Sequence, residues 1–346
     1  MKVIYLIVLS LPLLFSCEGS DDSYHDVPLA VVQPANFPPL TYDVSQNPPT
    51  QSGFELGRKL FYDGRLSSDG LVSCAFCHIQ ENAFTHHGHT VSHGVDNLVG
   101  TRNSPAIQNM GFLSTYMWDG VTTHLDLQPL IPLTSDVEMN GDLTEILAMM
   151  KGDAKYRMLF SQAFPGEEIT TETMLQALSQ FMVMMVSSNS KFDKYRRGEG
   201  GATLTPDEQE GYTLFNQKCA TCHATDLMTD NSFRNNGLAV NPQVNDVGRY
   251  RVTEAAADYY KFRVPSLRNV ALTAPYMHDG RFGSLQSVLN HYASRVTNSP
   301  TLDPLLINNG TLGIPLSAHE KAMIIAFLNT LTDTDFITNT SFSYHD

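Results

Sequence analysis

The sequence predicts a mainly α protein made of two units of one design, with long loops and few or no strands. Three observations carry this. The run Cys74-Ala75-Phe76-Cys77-His78 returns as Cys219-Ala220-Thr221-Cys222-His223. The stretch Pro105 to Gly120 aligns without gaps on Pro265 to Gly280, with identities at Pro105/Pro265, Asn109/Asn269, Tyr116/Tyr276, Met117/Met277, Asp119/Asp279 and Gly120/Gly280. No apolar–polar alternation of strand period is sustained anywhere. A motif and a second segment that repeat together imply internal duplication. One substitution within the repeat stands out: Trp118 in the first copy faces His278 in the second.

Each C-x-x-C-H run has the form of a c-type haem attachment site. The two thiols add to the porphyrin as thioethers, and the histidine that follows is placed to bind iron. The competing readings are a zinc knuckle and a redox dithiol. Zinc ribbons set their cysteine pairs much closer together in sequence, and a thioredoxin-like dithiol does not need the histidine. Two cytochrome c-like haem domains are therefore expected. Cys74, Cys77 and His78 hold one haem c, and Cys219, Cys222 and His223 hold the other.

The chain has 346 residues, a net charge of −14 and a pI near 5.2. An acidic surface argues against nucleic acid as a partner. It would suit a basic electron-donor protein, and it is also an ordinary way to stay soluble. Four of the five cysteines lie in the two motifs. The fifth, Cys17, follows the apolar run Val3 to Phe15, which is too short to span a bilayer and has Lys2 before it. That pattern is a signal peptide over residues 1–17. Its end looks like a lipobox, so the expected product is an exported, periplasmic lipoprotein anchored through Cys17.

Residues 18–50 are rich in Ser, Asp and Pro, and repeated Pro blocks helix formation. They read as a tether with an extended lead-in. Ser52 to Tyr62 suits a short helix. The first haem motif and a polar loop, His86 to His93, come next. Met174, Leu175, Leu178, Phe181, Met182 and Met185 recur at helical spacing, which predicts a buried helix over Thr171 to Ser187. The charged, Gly-rich stretch Lys191 to Ala202 marks the boundary between an N-terminal unit (51–195) and a C-terminal unit (196–346). Thr205-Pro206-Asp207-Glu208 combines an N-cap, a first-turn Pro and a capping-box Glu. The helix it starts runs into Cys219. Ser284 to Ser294 reads as a helix, and Ser317 to Glu320 caps another through Leu328.

Taken together, these residues resemble the bacterial di-haem cytochrome c peroxidase and MauG family over about Gly57 to Leu331. The likeness rests on Gly57-Arg58-Lys59-Leu60-Phe61, Arg102-Asn103-Ser104-Pro105, Trp118-Asp119-Gly120, Gln128, Glu138-Met139 and Ala274-Pro275-Tyr276-Met277-His278-Asp279-Gly280. It implies that the N-terminal haem reacts with peroxide and the C-terminal haem accepts and stores electrons. O–O cleavage at iron needs an open coordination site, a proton relay and a source of electrons. The resemblance implies Glu138 as the distal acid–base and Gln128 as the amide that orients peroxide or water. It implies Trp118, the single tryptophan, as the aromatic relay between haems. It also implies a calcium ion near Asn103, Thr273 and Pro275.

The chain departs from the family in three places. Trp-Asp-Gly is usually followed by Arg, and here by Val121, so whatever that Arg steadies must be held otherwise. The removable histidine ligand of the peroxidatic iron falls at Val95, which cannot bind iron. His93 lies close by, and His86, His87 and His89 share its loop, which reads most simply as solvated. The usual Met ligand of the second iron falls at Tyr292, beside His291. A reading by analogy with ordinary cytochromes would choose Met277 or Met228. The resemblance argues for Tyr292, as in MauG, and a phenolate ligand lowers the reduction potential.

Three functions follow for comparison. The first is a peroxidase that reduces hydrogen peroxide with electrons from a small cytochrome or copper protein. The second is a MauG-like oxidase acting on aromatic side chains of a protein substrate. The third is a di-haem electron carrier without turnover, in which Glu138 and Gln128 have no purpose.

Overall fold

Two pairs of packed helices frame the molecule. The computed structural model describes residues 26–345, so the signal peptide and the lipid site at Cys17 lie outside the described residues. In the first pair, helix Gln51–Tyr62 lies against helix Thr171–Met184. Thr50 caps the former by accepting the Gly53 N–H at 3.1 Å. Leu56, Leu60 and Phe61 are almost wholly buried between the two, each worth roughly 1.5–3 kcal/mol of burial. The backbones meet at Gly57, where a Cβ would stand 2.0 Å from the carbonyl oxygen of Ala177.

The second pair repeats the device. Helices Pro206–Lys218 and Ala318–Asn329 open with capping boxes at Thr205/Glu208 and Ser317/Glu320. They meet at Gly211, where a Cβ would stand 1.9 Å from the Met323 carbonyl. A common pattern, Gly-x-x-Leu-Phe, underlies both contacts: Gly57/Leu60/Phe61 and Gly211/Leu214/Phe215. One apolar cluster gathers residues from Tyr42 to Met185, and another gathers Phe192 to Leu331. The end of the chain then returns, and Phe336 and Phe342 pack into the first cluster. Tyr62 donates its hydroxyl to the Phe342 carbonyl at 2.9 Å, and Gln80 donates its amide to the Asn339 carbonyl at 2.8 Å.

The protein is mainly helical. Its named strands are two short antiparallel ladders, Phe233–Arg234 with Phe262–Arg263 and Ile307–Asn308 with Thr311–Leu312. Among the described residues, no helix is long and apolar enough to cross a membrane. The repeated segments share local geometry. Asn109 and Asn269 take left-handed φ values of 55° and 57° and open the short turns Met110–Phe112 and Val270–Leu272. Asn tolerates that region better than most residues. Tyr116 and Tyr276 each reach back to the turn, donating to the carbonyls of Met110 and Val270 at 3.2 and 2.9 Å.

One local expectation needs correction. Residues 26–50 carry no helix, but they are packed rather than hanging as a tether. Phe37 is buried against Phe112 and Leu227, and Tyr42 donates to Asp126 at 2.8 Å. Apolar and hydrogen-bonding groups within the Pro-rich stretch give it a surface to lie on. The stretch Lys191 to Ala202, read as a charged, Gly-rich boundary, begins with a helix. Helix Lys191–Arg197 opens with a capping box, Ser190/Asp193, and buries Phe192. Helices Leu143–Gly152 and Ala154–Ala163 have no counterpart in the sequence reading; Asp142 and Asp153 cap them.

Candidate functional site

Among the described residues, each C-x-x-C-H motif lines a cavity of its own. The smaller, about 340 Å³, is lined by Cys74, Cys77 and His78, and also by Met117, Trp118, Gln128 and Glu138. The larger, about 750 Å³, is lined by Cys219, Cys222 and His223, and also by Met277, His278 and Tyr292. Asn103 to Ala106, Trp118 and Arg263 line both. The wall between the cavities is therefore built from the residues around Trp118.

The two histidines are held alike. His78 Nδ1 lies 2.8 Å from the Phe84 carbonyl, and His223 Nδ1 lies 3.2 Å from the Met228 carbonyl. A carbonyl can only accept, so each ring carries its proton on Nδ1 and keeps Nε2 for a metal. Burial lowers the pKa of both, His78 to about 4, so both are neutral. Among the described residues no three His, Cys, Asp or Glu side chains converge as a zinc site requires. The paired cysteines at an apolar cavity wall and the neutral, oriented histidines fit covalent haem.

In the smaller cavity, Glu138 follows the short helix Leu130–Thr134. Its side chain is half-buried, and burial raises its pKa, opposed by a hydrogen bond from Ser92. Gln128 donates from Nε2 to the Met117 sulfur at 3.6 Å. Trp118 donates from its indole N–H to the Asn103 carbonyl at 2.8 Å, which fixes the ring plane. The sequence places Glu138, Gln128 and Trp118 ten residues apart in succession, and the fold brings all three to one cavity.

Val95 is a core residue, 1% exposed, in the first apolar cluster. His93 lines the smaller cavity, and its carbonyl accepts from Cys77 Sγ at 3.5 Å. His87 and His89 are exposed, as the simplest reading has it, but His86 is not. His86 is 4% exposed, and its ring stacks on His89 at 4.2 Å. Burial and the neighbouring His89 and His93 lower the His86 pKa to about 4. Stacking lets three imidazoles share a small space while His86 stays uncharged.

In the larger cavity Tyr292 lines the wall, while its neighbour His291 turns away and places Nε2 3.0 Å from the Asn236 carbonyl. Met277 also lines this cavity. Met228 sits in the second apolar cluster. Burial pushes the Tyr292 phenol up to about 12, and a hydrogen bond with Asn236 pulls the other way. A phenol there loses its proton only to a strong local positive charge, such as a ferric ion. Asn236 donates to the Met277 sulfur at 3.5 Å, which makes it the counterpart of Gln128 at Met117. The sequence reading missed Asn236, because it lies outside the aligned repeat.

The role left vacant by Val121 is filled from a distance. In the C-terminal half Arg281 follows Gly280 and pairs with Asp279 at 2.9 and 3.0 Å. In the N-terminal half Val121 is exposed, and Arg102 pairs with Asp119 at 2.7 Å and with Asp246 at 2.6 Å. Asn103, Thr273 and Pro275 all line the larger cavity. Asn103 spends its amide N–H groups on the carbonyls of His89 and Thr90, and Thr273 donates its hydroxyl to Val270. What these residues can still offer a cation is neutral oxygen, the ligand type of a hard ion.

The family described as di-haem cytochrome c peroxidase matches residues 51–201. The methylamine utilization protein MauG of Methylophilus methylotrophus is 33% identical over 82% of this chain and 84% of its own. The cytochrome c551 peroxidase of Pseudomonas aeruginosa is 30% identical over 90% of this chain and 87% of its own. Among solved structures, a MauG-like protein associated with microbial copper homeostasis superposes with a TM-score of 0.82. It is 36% identical, covering 90% of this chain and 97% of that one.

Proposed function

The chain belongs to the di-haem cytochrome c peroxidase family, and from there we propose how its own residues divide the work. It is an oxidoreductase that carries two haem c groups. The smaller cavity is the peroxide site, and the larger one holds the electron-storing group. The observation that carries this reading is the company of the first attachment motif: Glu138 and Gln128 line that cavity, while Tyr292 lines the other.

Bound through Cys74, Cys77 and His78, haem c supplies a redox-active iron for O–O cleavage. Glu138 takes a proton from one peroxide oxygen and returns it to the other, which leaves as water. Its raised pKa suits both halves of that exchange. Gln128 orients the peroxide through its amide. Two further electrons and two protons complete the reduction to two waters. A small cytochrome or copper protein would supply the electrons, and Trp118, which lines both cavities, would carry them between the two sites. His223 and Tyr292 would hold the iron on the storage side.

A second reading, MauG-like oxidation of aromatic side chains on a protein substrate, is favoured by Tyr292 at the larger cavity and by Val95 in the core. Under either reading, the chain is exported to the periplasm and anchored by lipid on Cys17. Residues 51–195 and 196–346 derive from one ancestral unit, which the matched turns at Asn109 and Asn269 support. A calcium ion near Asn103, Thr273 and Pro275 completes the assignment. Metal analysis of protein purified with and without a chelator tests it.

Electron paramagnetic resonance of the resting ferric protein, titrated with peroxide, tests the whole reading. One high-spin and one low-spin iron are expected, with carbon monoxide binding to one haem after reduction. Two low-spin irons indifferent to peroxide and carbon monoxide would sink it.

A further inference from the structure

Arg263 is a buried cation without a carboxylate. It is 8% exposed and lines both cavities. Its backbone N–H donates to the Trp118 carbonyl at 2.8 Å, and its Nε donates to the Met117 carbonyl at 3.3 Å. Those two contacts fix the side chain beside Trp118. The other half-buried or buried arginines at the cavity walls are neutralised by aspartate. Arg102 pairs with Asp119 and Asp246, Arg234 with Asp230 and Asp303, and Arg268 with Asp193. Among the described residues, Arg263 has no such partner. Burial alone lowers its pKa to about 10, and it remains charged at neutral pH.

A guanidinium kept out of water is costly unless an anion meets it. Arg presents a planar fork that matches a carboxylate, and one face of that fork is spent here on a backbone carbonyl. The groups that fill these cavities bring carboxylates of their own. We propose that Arg263 is the counter-ion of a haem propionate at the junction of the two cavities, holding that carboxylate beside Trp118. This rests on the assignment of two haems made above. It makes Arg263 a positioning residue: it orients the porphyrin edge against the indole and sets the local potential.

The test uses the holoprotein, with haem labelled with carbon-13 at the propionate carboxylates. Haem content is measured first as the pyridine haemochrome. Two haems per chain in the wild type uphold the underlying reading, and their absence would refute that reading rather than the role of Arg263. In Arg263→Gln, the labelled carboxylate bands of the redox-difference infrared spectrum should shift. At least one midpoint potential should fall, because the lost cation no longer opposes the oxidised iron, and it should gain a slope with pH. If Arg263→Gln loses haem, Arg263→Lys carries the test: it keeps the charge, so the midpoints should stay near wild type while the bands still move. Labelled bands identical to wild type in the variant that holds both haems would overturn the proposal. So would wild-type midpoints that respond to added phosphate while the labelled bands stay fixed, because Arg263 would then be holding a free anion.

Discussion

The backbone N–H of Val95 donates to the carbonyl oxygen of Glu138 at 2.8 Å. The loop that carries His93 is thus sewn to the residue proposed as acid–base. Gly94 makes the seam possible, because a Cβ there would stand 2.2 Å from the Glu138 carbonyl. Gly94→Ala should therefore displace Glu138 while both haems remain attached. Misplacing a reacting group by about 1 Å can cost up to roughly 100-fold. Peroxide turnover at saturating donor should fall by about tenfold or more, and a wild-type rate would disconnect this loop from catalysis.

Glu138→Gln should keep both haems and lose about 100-fold or more in peroxide turnover, the usual worth of a positioned acid–base. The pH profile carries the sign. Burial raises the Glu138 pKa, and the base form acts first, so the acid limb should lie above the ordinary glutamate range. The Ser92 hydrogen bond lowers that pKa, so Ser92→Ala should move the limb to higher pH. A limb that survives unchanged in Glu138→Gln belongs to another group.

Trp118→Phe removes the N–H that meets the Asn103 carbonyl. The lost bond should cost roughly 1–2 kcal/mol in denaturant titration. Stopped-flow reoxidation of the second haem by peroxide should slow, with the first haem's own reaction unaffected. Equal rates in variant and wild type would exclude the indole from the route.

Tyr292→Met replaces a hard oxygen with a soft thioether and should raise the second haem's midpoint potential. The low-spin resonance should change with it. An unchanged spectrum would mean that another residue occupies the iron.

Arg102→Ala leaves Asp119 and Asp246 buried without their cation. Removing one partner of such a pair costs about 3–5 kcal/mol. Adding Val121→Arg should recover part of it, because Arg281 already holds Asp279 from the equivalent position. Thermal unfolding of the single and double variants checks both; a double variant no more stable than Arg102→Ala would break the equivalence.

Local signals in the sequence carried much of the fold. The boxes at Thr205/Glu208 and Ser317/Glu320 are complete within four residues, and both helices start there. Ser190/Asp193 is as complete, yet the charges and glycines from Lys191 to Ala202 were read only as a boundary between units. The shared Gly-x-x-Leu-Phe was also readable but falls outside the gap-free repeat. Other features depend on partners remote in sequence. Nothing near Val121 announces that Arg102 will serve Asp119, and nothing near Arg263 announces that its charge goes unmatched. The His86 ring looked solvated because its stack on His89 is invisible in a list of polar residues.

The returning segment has a consequence for how the two halves come apart. Phe336 and Phe342 lie beyond the second apolar cluster in sequence, yet they belong to the first. A piece cut after Leu331 would therefore lack two rings of the N-terminal core, and the two halves should melt together rather than one at a time.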